Sequence, residues 1–204
     1  FHYNDLDSVR EMFEKHAGRI ACLIMEPAKY EDPQDNFLHK TRDLCHAHGA
    51  VFILDEMITG FRMHNGGAQT LYGITPDLSC FGKAMGNGFA VSALAGKREI
   101  MELGGLFHDK ERVFLLSTTH GAETHALAAA IETMRVYQRE PVIETLDRQG
   151  TRLAAGLRQT VALGLAVQSC RPVSMTTRRA KSMFSRAPGP AAVWARSMFI
   201  FADL

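Results

Sequence analysis

With 204 residues, 46% hydrophobic content and a formal net charge of +1, the chain is long enough to bury a real core and offers no overall electrostatic case for nucleic acid or an anionic membrane. Its four cysteines, Cys22, Cys45, Cys80 and Cys170, are widely spaced with no Cys-x-x-Cys pair, which argues against a disulfide framework or a zinc site and for a reducing compartment. No signal peptide is recognisable and no apolar run approaches the roughly 18 residues of a membrane span, so a cytoplasmic location is expected.

In chain order, IACLIME (20–26) reads as a short apolar strand closed by Pro27. A polar loop leads to NFLHKTRDLCHAHG (36–49), where Phe37, Leu38, Thr41, Leu44, Cys45 and His48 recur at helical spacing and Gly49 is placed to stop the helix. AVFILDE (50–56) is the next strand, followed by PDLSCFG (76–82), FAVSALAG (89–96) and RVFLLS (112–117). Helices are predicted over 97–103, 123–139 and 141–163. Strands apolar on both faces and separated by helices predict an α/β fold, a mostly parallel sheet covered by helices. From Arg171 onward six basic residues stand against one acid, and no helix or strand period persists. This tail is expected not to continue the fold; a basic partner-binding segment is the alternative.

VFILDEMITGFR (51–62) ends an apolar strand in two carboxylates, Asp55 and Glu56. Such an acid suits either the magnesium of a nucleotide triphosphatase or the ring nitrogen of a pyridine cofactor. The first needs a Gly-x-x-x-x-Gly-Lys-[Ser/Thr] loop, and none exists: Gly82-Lys83 and Gly96-Lys97 lack the first glycine, and Ala84 and Arg98 replace the hydroxyl residue. The second needs a lysine at the end of a neighbouring strand. Lys83 lies 28 residues on, in SCFGKAMGNGF, where Gly82, Gly86 and Gly88 let the loop pass close to a flat ligand. A lysine that forms a Schiff base and a carboxylate that keeps a pyridine nitrogen protonated are needed together. Taken singly, a strand-end acid reads as a cap or ion pair and a loop lysine as solvated.

EPA after an apolar strand, FLHKTRDLCHAHGAVFILDEMITGFR, GGAQTLYGITPDLSCFGKAMGNGFAVSALAGKREIM and STTHGAETHALAAAIETM together resemble the class III aminotransferases, in order from about Ile20 to about Leu163. Within that class they are similar to the glutamate-1-semialdehyde 2,1-aminomutase group. The resemblance implies a fold type I enzyme using pyridoxal 5'-phosphate, homodimeric when complete, transferring amino groups between small-molecule donors and acceptors. It implies that Asp55 pairs with the pyridine nitrogen and that Lys83 holds the cofactor covalently and then shuttles a proton. It places Met57 where the family usually has a valine against one ring face. It gives Thr118, with Thr119 as the fallback, the contact to the cofactor phosphate of the other subunit. A decarboxylase or racemase on the same cofactor, or a fragment keeping the fold without turnover, are the alternatives.

Glu26 matches the family's Glu-Pro, where a structural hydrogen bond is as plausible as catalysis. His39, Cys45, His46 and His48 point in different directions on one helix, so no metal is expected there. His120 and His125 are expected on the surface, and Lys97 in solvent. Family members are roughly twice this long, and their first half supplies a phosphate-cradling turn at a helix N-terminus and a ring-stacking aromatic that this chain lacks. Residues 1–140 are therefore expected to form part of the cofactor-binding large domain, 141–170 the linking helix and the start of a small C-terminal domain, and 171–204 the atypical basic tail. An internal fragment, inactive alone, is the expectation.

Overall fold

In the computed structural model, which describes residues 1–104, 109, 111, 123–162 and 201–202, Asp5 accepts a hydrogen bond from the Ser8 amide at 3.0 Å and caps α1 (Leu6–Lys15). This helix is an addition to the expected elements. Its Val9 and Phe13, one turn apart, bury its inner face. β1 (Cys22–Met25), α2 (Phe37–Ala47) and β2 (Val51–Asp55) follow, then the single turn α3 (Ala68–Leu71) and β3 (Leu78–Phe81). A 3-10 turn at Lys83–Met85 leads to β4 (Ala93–Gly96) and α4 (Arg98–Met101), which a second 3-10 turn, Glu102–Gly104, extends. The long helices α5 (Thr124–Arg139) and α6 (Val142–Ala162) match the expected ones. No helix among the described residues is long and apolar enough to cross a membrane.

The sheet runs β1-β2-β3-β4-β5, with β5 at Phe201–Ala202. β1, β2 and β3 are parallel, β4 is antiparallel to β3, and β5 lies parallel to β4. The expected strand 89–96 is shortened to four residues, because the Phe89 and Val91 amides bond back to the Gly86 and Phe89 carbonyls and hold the start of that stretch in turns. The tail was expected to hold no strand, yet Phe201 and Ala202 pair with Leu94 and Ala95. An open sheet edge offers unpaired N–H and C=O groups to any short apolar stretch that reaches it. The strand expected over 112–117 lies outside the described residues.

One face of the sheet is dry. Phe52 and Leu54 of β2 and Leu23 and Met25 of β1 pack on Val9, Phe13, Leu38 and Cys45 of α1 and α2. Each such side chain contributes about 1.5–3 kcal/mol on burial, and Phe52→Ala would cost about 3–5 kcal/mol. A second cluster joins Met85, Val91, Ala126 and Ala130, with Phe61 and Phe81 against it, and so seats α5 beside the Lys83 turn. The opposite face carries the row Ile24, Ile53 and Leu78, register partners across three parallel strands; Ile24 is 53% exposed.

Lys97, expected in solvent, instead sets its Nζ 2.7 Å from Asp77 Oδ1. The antiparallel pair Leu78↔Gly96 brings residues 77 and 97 side by side at the strand ends, which sequence spacing does not show. The Asp77 carboxylate also accepts from the Phe52 amide at 2.7 Å and meets His46 Nε2 at 2.9 Å. Burial alone would raise its pKa; Lys97, the Phe52 amide and His46 outweigh that and hold it below the ordinary carboxylate value.

Candidate functional site

β2 and β3 run parallel and end together, so their carboxyl ends lie side by side at the end of the sheet where parallel sheets usually bind ligands. Asp55 is the last residue of β2 and the register partner of Cys80, which places both side chains on one face. Asp55 Oδ1 accepts from the Met57 amide at 3.0 Å. That turn fixes one carboxylate oxygen and leaves the other with no partner among the described residues. Burial, and then the Asp55 charge, push the Cys80 thiol up to about 11, so it stays a neutral neighbour.

Glu56 alternates to the other face and is fully buried. It accepts from the Ala68 amide at 2.8 Å, the Gln69 amide at 2.7 Å and the Thr59 hydroxyl. The second acid of the pair therefore holds the loop 59–69 and starts α3, and the ligand face is left to Asp55. Gly67 is obligatory there: its φ is +81°, and a Cβ would stand 2.6 Å from Glu56 Oε1. The Gly66-Gly67 pair so soon after the strand is the signal that could have found this role.

Lys83 follows β3 by two residues, opens the 3-10 turn and is exposed, its side chain making no hydrogen bond or ion pair among the described residues. Its φ of +46° is left-handed, a conformation that costs a non-glycine residue about 1–3 kcal/mol and is concentrated at functional sites. Amides of Gly86 and Asn87 bond back to its carbonyl at 3.1 and 3.0 Å and keep the turn closed. Met57 lies over Gly82: its Sδ is 2.8 Å from where a Cβ on Gly82 would be, and its methyl is closer still. Only glycine lets the thioether pack onto the turn just before the lysine.

These features fit a carbonyl-bearing pyridine ligand. A lysine amine with no side-chain partner among the described residues can add to a carbonyl in its neutral form, and a carboxylate oxygen is open to hold a ring nitrogen, both at the same end of the sheet. Thr118, Thr119 and His120 lie outside the described residues. His125 pairs with Glu123 at 3.3 Å and packs edge-on against Phe89. Glu26 faces Lys29 at 3.7 Å. The side chains on α2 and at its C-cap part company: His39 meets the Gly73 carbonyl, Cys45 is buried in the core, His46 meets Asp77, and His48 stacks on Phe13. Among the described residues no three His, Cys, Asp or Glu side chains converge as a metal site.

The family described as aminotransferase class-III matches residues 3–173. The chain belongs to the class III aminotransferases. Among curated members it is 42% identical over 160 residues to a glutamate-1-semialdehyde 2,1-aminomutase of Acetivibrio thermocellus, covering 76% of this chain and 36% of that protein. It is 36% identical over 167 residues to a 3-aminobutyryl-CoA aminotransferase of Cloacimonas acidaminovorans, covering 79% and 39%. Among solved structures, the FumI protein of Sphingopyxis sp. MTA144 in its PLP internal aldimine form superposes with a TM-score of 0.70 at 34% identity, over 80% of this chain and 40% of that one. This class III chain thus spans about two-fifths of the length of the relatives it matches.

Proposed function

We propose that this chain carries the lysine and aspartate of a pyridoxal-phosphate-dependent amino-group transfer enzyme. The observation that carries the reading is the placement of Asp55 and Lys83 at the adjoining carboxyl ends of two parallel strands, neither in an ion pair among the described residues. Pyridoxal phosphate, when bound, supplies an electron sink for bonds at the substrate carbon that bears the amine.

The residues of the chain divide the remaining work. Asp55 holds a proton on the ring nitrogen by electrostatic attraction. Lys83 holds the cofactor through its amine, and the same amine, when free and neutral, takes and returns a proton at the substrate carbon. Met57 gives one ring face an apolar support, already fixed against Gly82. Thr118 is assigned to the cofactor phosphate of a second subunit in a homodimer. The relatives' names divide between an aminomutase and an aminotransferase, and movement of an amino group is what they share. Free Cys22, Cys45 and Cys80 support a reducing, cytoplasmic setting. We retain the division into large-domain residues 1–140, a linking segment 141–170 and a basic tail 171–204.

The test is to titrate the purified full polypeptide with pyridoxal phosphate and follow the visible absorption band, then assay amino transfer from a panel of amino donors. Absence of both band and transfer would overturn the reading.

A further inference from the structure

Ser92 is 4% exposed and its hydroxyl has no hydrogen-bond partner among the described residues. Buried hydroxyls are normally paired, and an orphan costs the free energy of its lost hydration. Its position is not an arbitrary one. The antiparallel register of β3 and β4 runs from Leu78↔Gly96 to Phe81↔Ala93, so one step further Ser92 faces Gly82. Its Cβ lies 3.5 Å from the point a Gly82 Cβ would occupy, beside the Met57 thioether.

The parallel register of β2 and β3 extends the same row to Met57, two residues beyond Asp55. Asp55, Cys80 and Leu94 form one row across three strands, and Met57, Gly82 and Ser92 form the next, on the same face. Gly82 is also the residue before Lys83. The unpaired hydroxyl therefore sits in the row that separates the carboxylate from the lysine turn, with a side-chain-free glycine in front of it.

We propose that Ser92 is a cofactor-binding residue whose hydroxyl donates a hydrogen bond to an oxygen of the bound pyridoxal phosphate. The inference rests on the cofactor reading above and adds a contact to it. Met57 and Gly82 offer no side-chain donor, so Ser92 is the one polar side chain of its row. Without ligand the hydroxyl is a liability; with ligand it becomes a contact.

That change of sign gives the test, made in the full polypeptide with its cofactor removed and restored. Ser92→Ala removes an unpaired buried hydroxyl from the apo form, so its thermal midpoint should rise by about 2–4 °C. The same variant should bind pyridoxal phosphate about tenfold more weakly in the absorbance titration, the equivalent of one lost hydrogen bond. Ser92→Cys keeps the size with a poorer donor and should fall between the two. Repeating the titration with pyridoxal locates the acceptor: a loss that persists assigns a ring oxygen, and a loss that vanishes assigns a phosphate oxygen.

Equal stability shifts in apo and holo forms, with cofactor affinity unchanged in both variants, would overturn the proposal and leave Ser92 a packing residue. If the unaltered protein shows no band, the cofactor reading fails and this inference goes with it; a normal band with unaltered variants sinks only Ser92.

Discussion

Asp55 and Cys80 are register partners on adjoining parallel strands, and this one pairing sets the carboxylate beside the chain that turns into Lys83 two residues after β3 ends. Separated by 28 positions in sequence, the two residues come to the same end of the sheet because β2 and β3 run the same way and stop together. An antiparallel pairing would have sent them to opposite ends.

Covalent attachment is expected at Lys83. Borohydride reduction of the cofactor-loaded protein should fix the label on the peptide containing Lys83, and Lys83→Ala should abolish it. Lys97 is the instructive control, since its ammonium is already engaged by Asp77 at 2.7 Å. Label recovered on Lys97 would remove Lys83 from the site.

Asp55→Asn keeps the size of the side chain and removes the charge that holds a ring nitrogen protonated. The visible band should still form, while kcat falls by roughly 10²–10³, the scale of a lost electrostatic contact in a transition state. Near-normal turnover would return Asp55 to a purely structural role at the strand end.

Gly67→Ala should destabilise the fold by about 2–4 kcal/mol, since a Cβ meets both a left-handed φ and the Glu56 carboxylate. Glu56→Gln loses charge-assisted acceptance from two amides and should cost about 1–3 kcal/mol. Urea unfolding checks both. A neutral Gly67→Ala would mean that the loop 59–69 relaxes without Glu56.

The Asp77 tie has a defined pH window. Asp77 has a folded pKa below the ordinary value, so its contribution is present above that value and fades as pH falls through the lower folded one. Lys97 is raised, chiefly by its hydrogen bond to Asp77, so its contribution is full below the ordinary lysine value and is lost as pH rises through the higher folded one. Stability should therefore be flat in this respect from about pH 4 to 10. Asp77→Asn should cost about 1–3 kcal/mol at neutral pH, because a neutral amide offers one acceptor oxygen where the carboxylate offers two, to the Phe52 amide and to Lys97. Lys97→Met should cost under about 1 kcal/mol, because Lys97 is 42% exposed. Denaturant midpoints at pH 7 and pH 3 should show the Asp77→Asn deficit shrinking in acid.

Much of the architecture is legible in local pattern. Apolar runs ending at Met25, Asp55 and Phe81, and the helical spacing of Phe37, Leu38, Thr41 and Cys45, are set by short-range periodicity, because burial on one face imposes a period that the chain itself displays. α1 carries equally local signals, the Asp5 cap and the Val9–Phe13 step, which an argument centred on the strands passes over. The positions of Asp55 at the end of one strand and Lys83 just past the end of the next were legible because each closes a strand-like run.

The sequence by itself determined which residues are apolar, where strands and helices stop, and which acid and which lysine stand at strand ends; these depend on neighbours within a few residues. Only the tertiary structure decided that Glu56 turns inward to the amides of Ala68 and Gln69, that Lys97 closes on Asp77, and that an unpaired Ser92 hydroxyl shares a row with Met57 and Gly82. The physical reason is that such contacts are made by strand register and direction. Register is settled by the summed burial of a whole sheet, and no spacing within one segment encodes it.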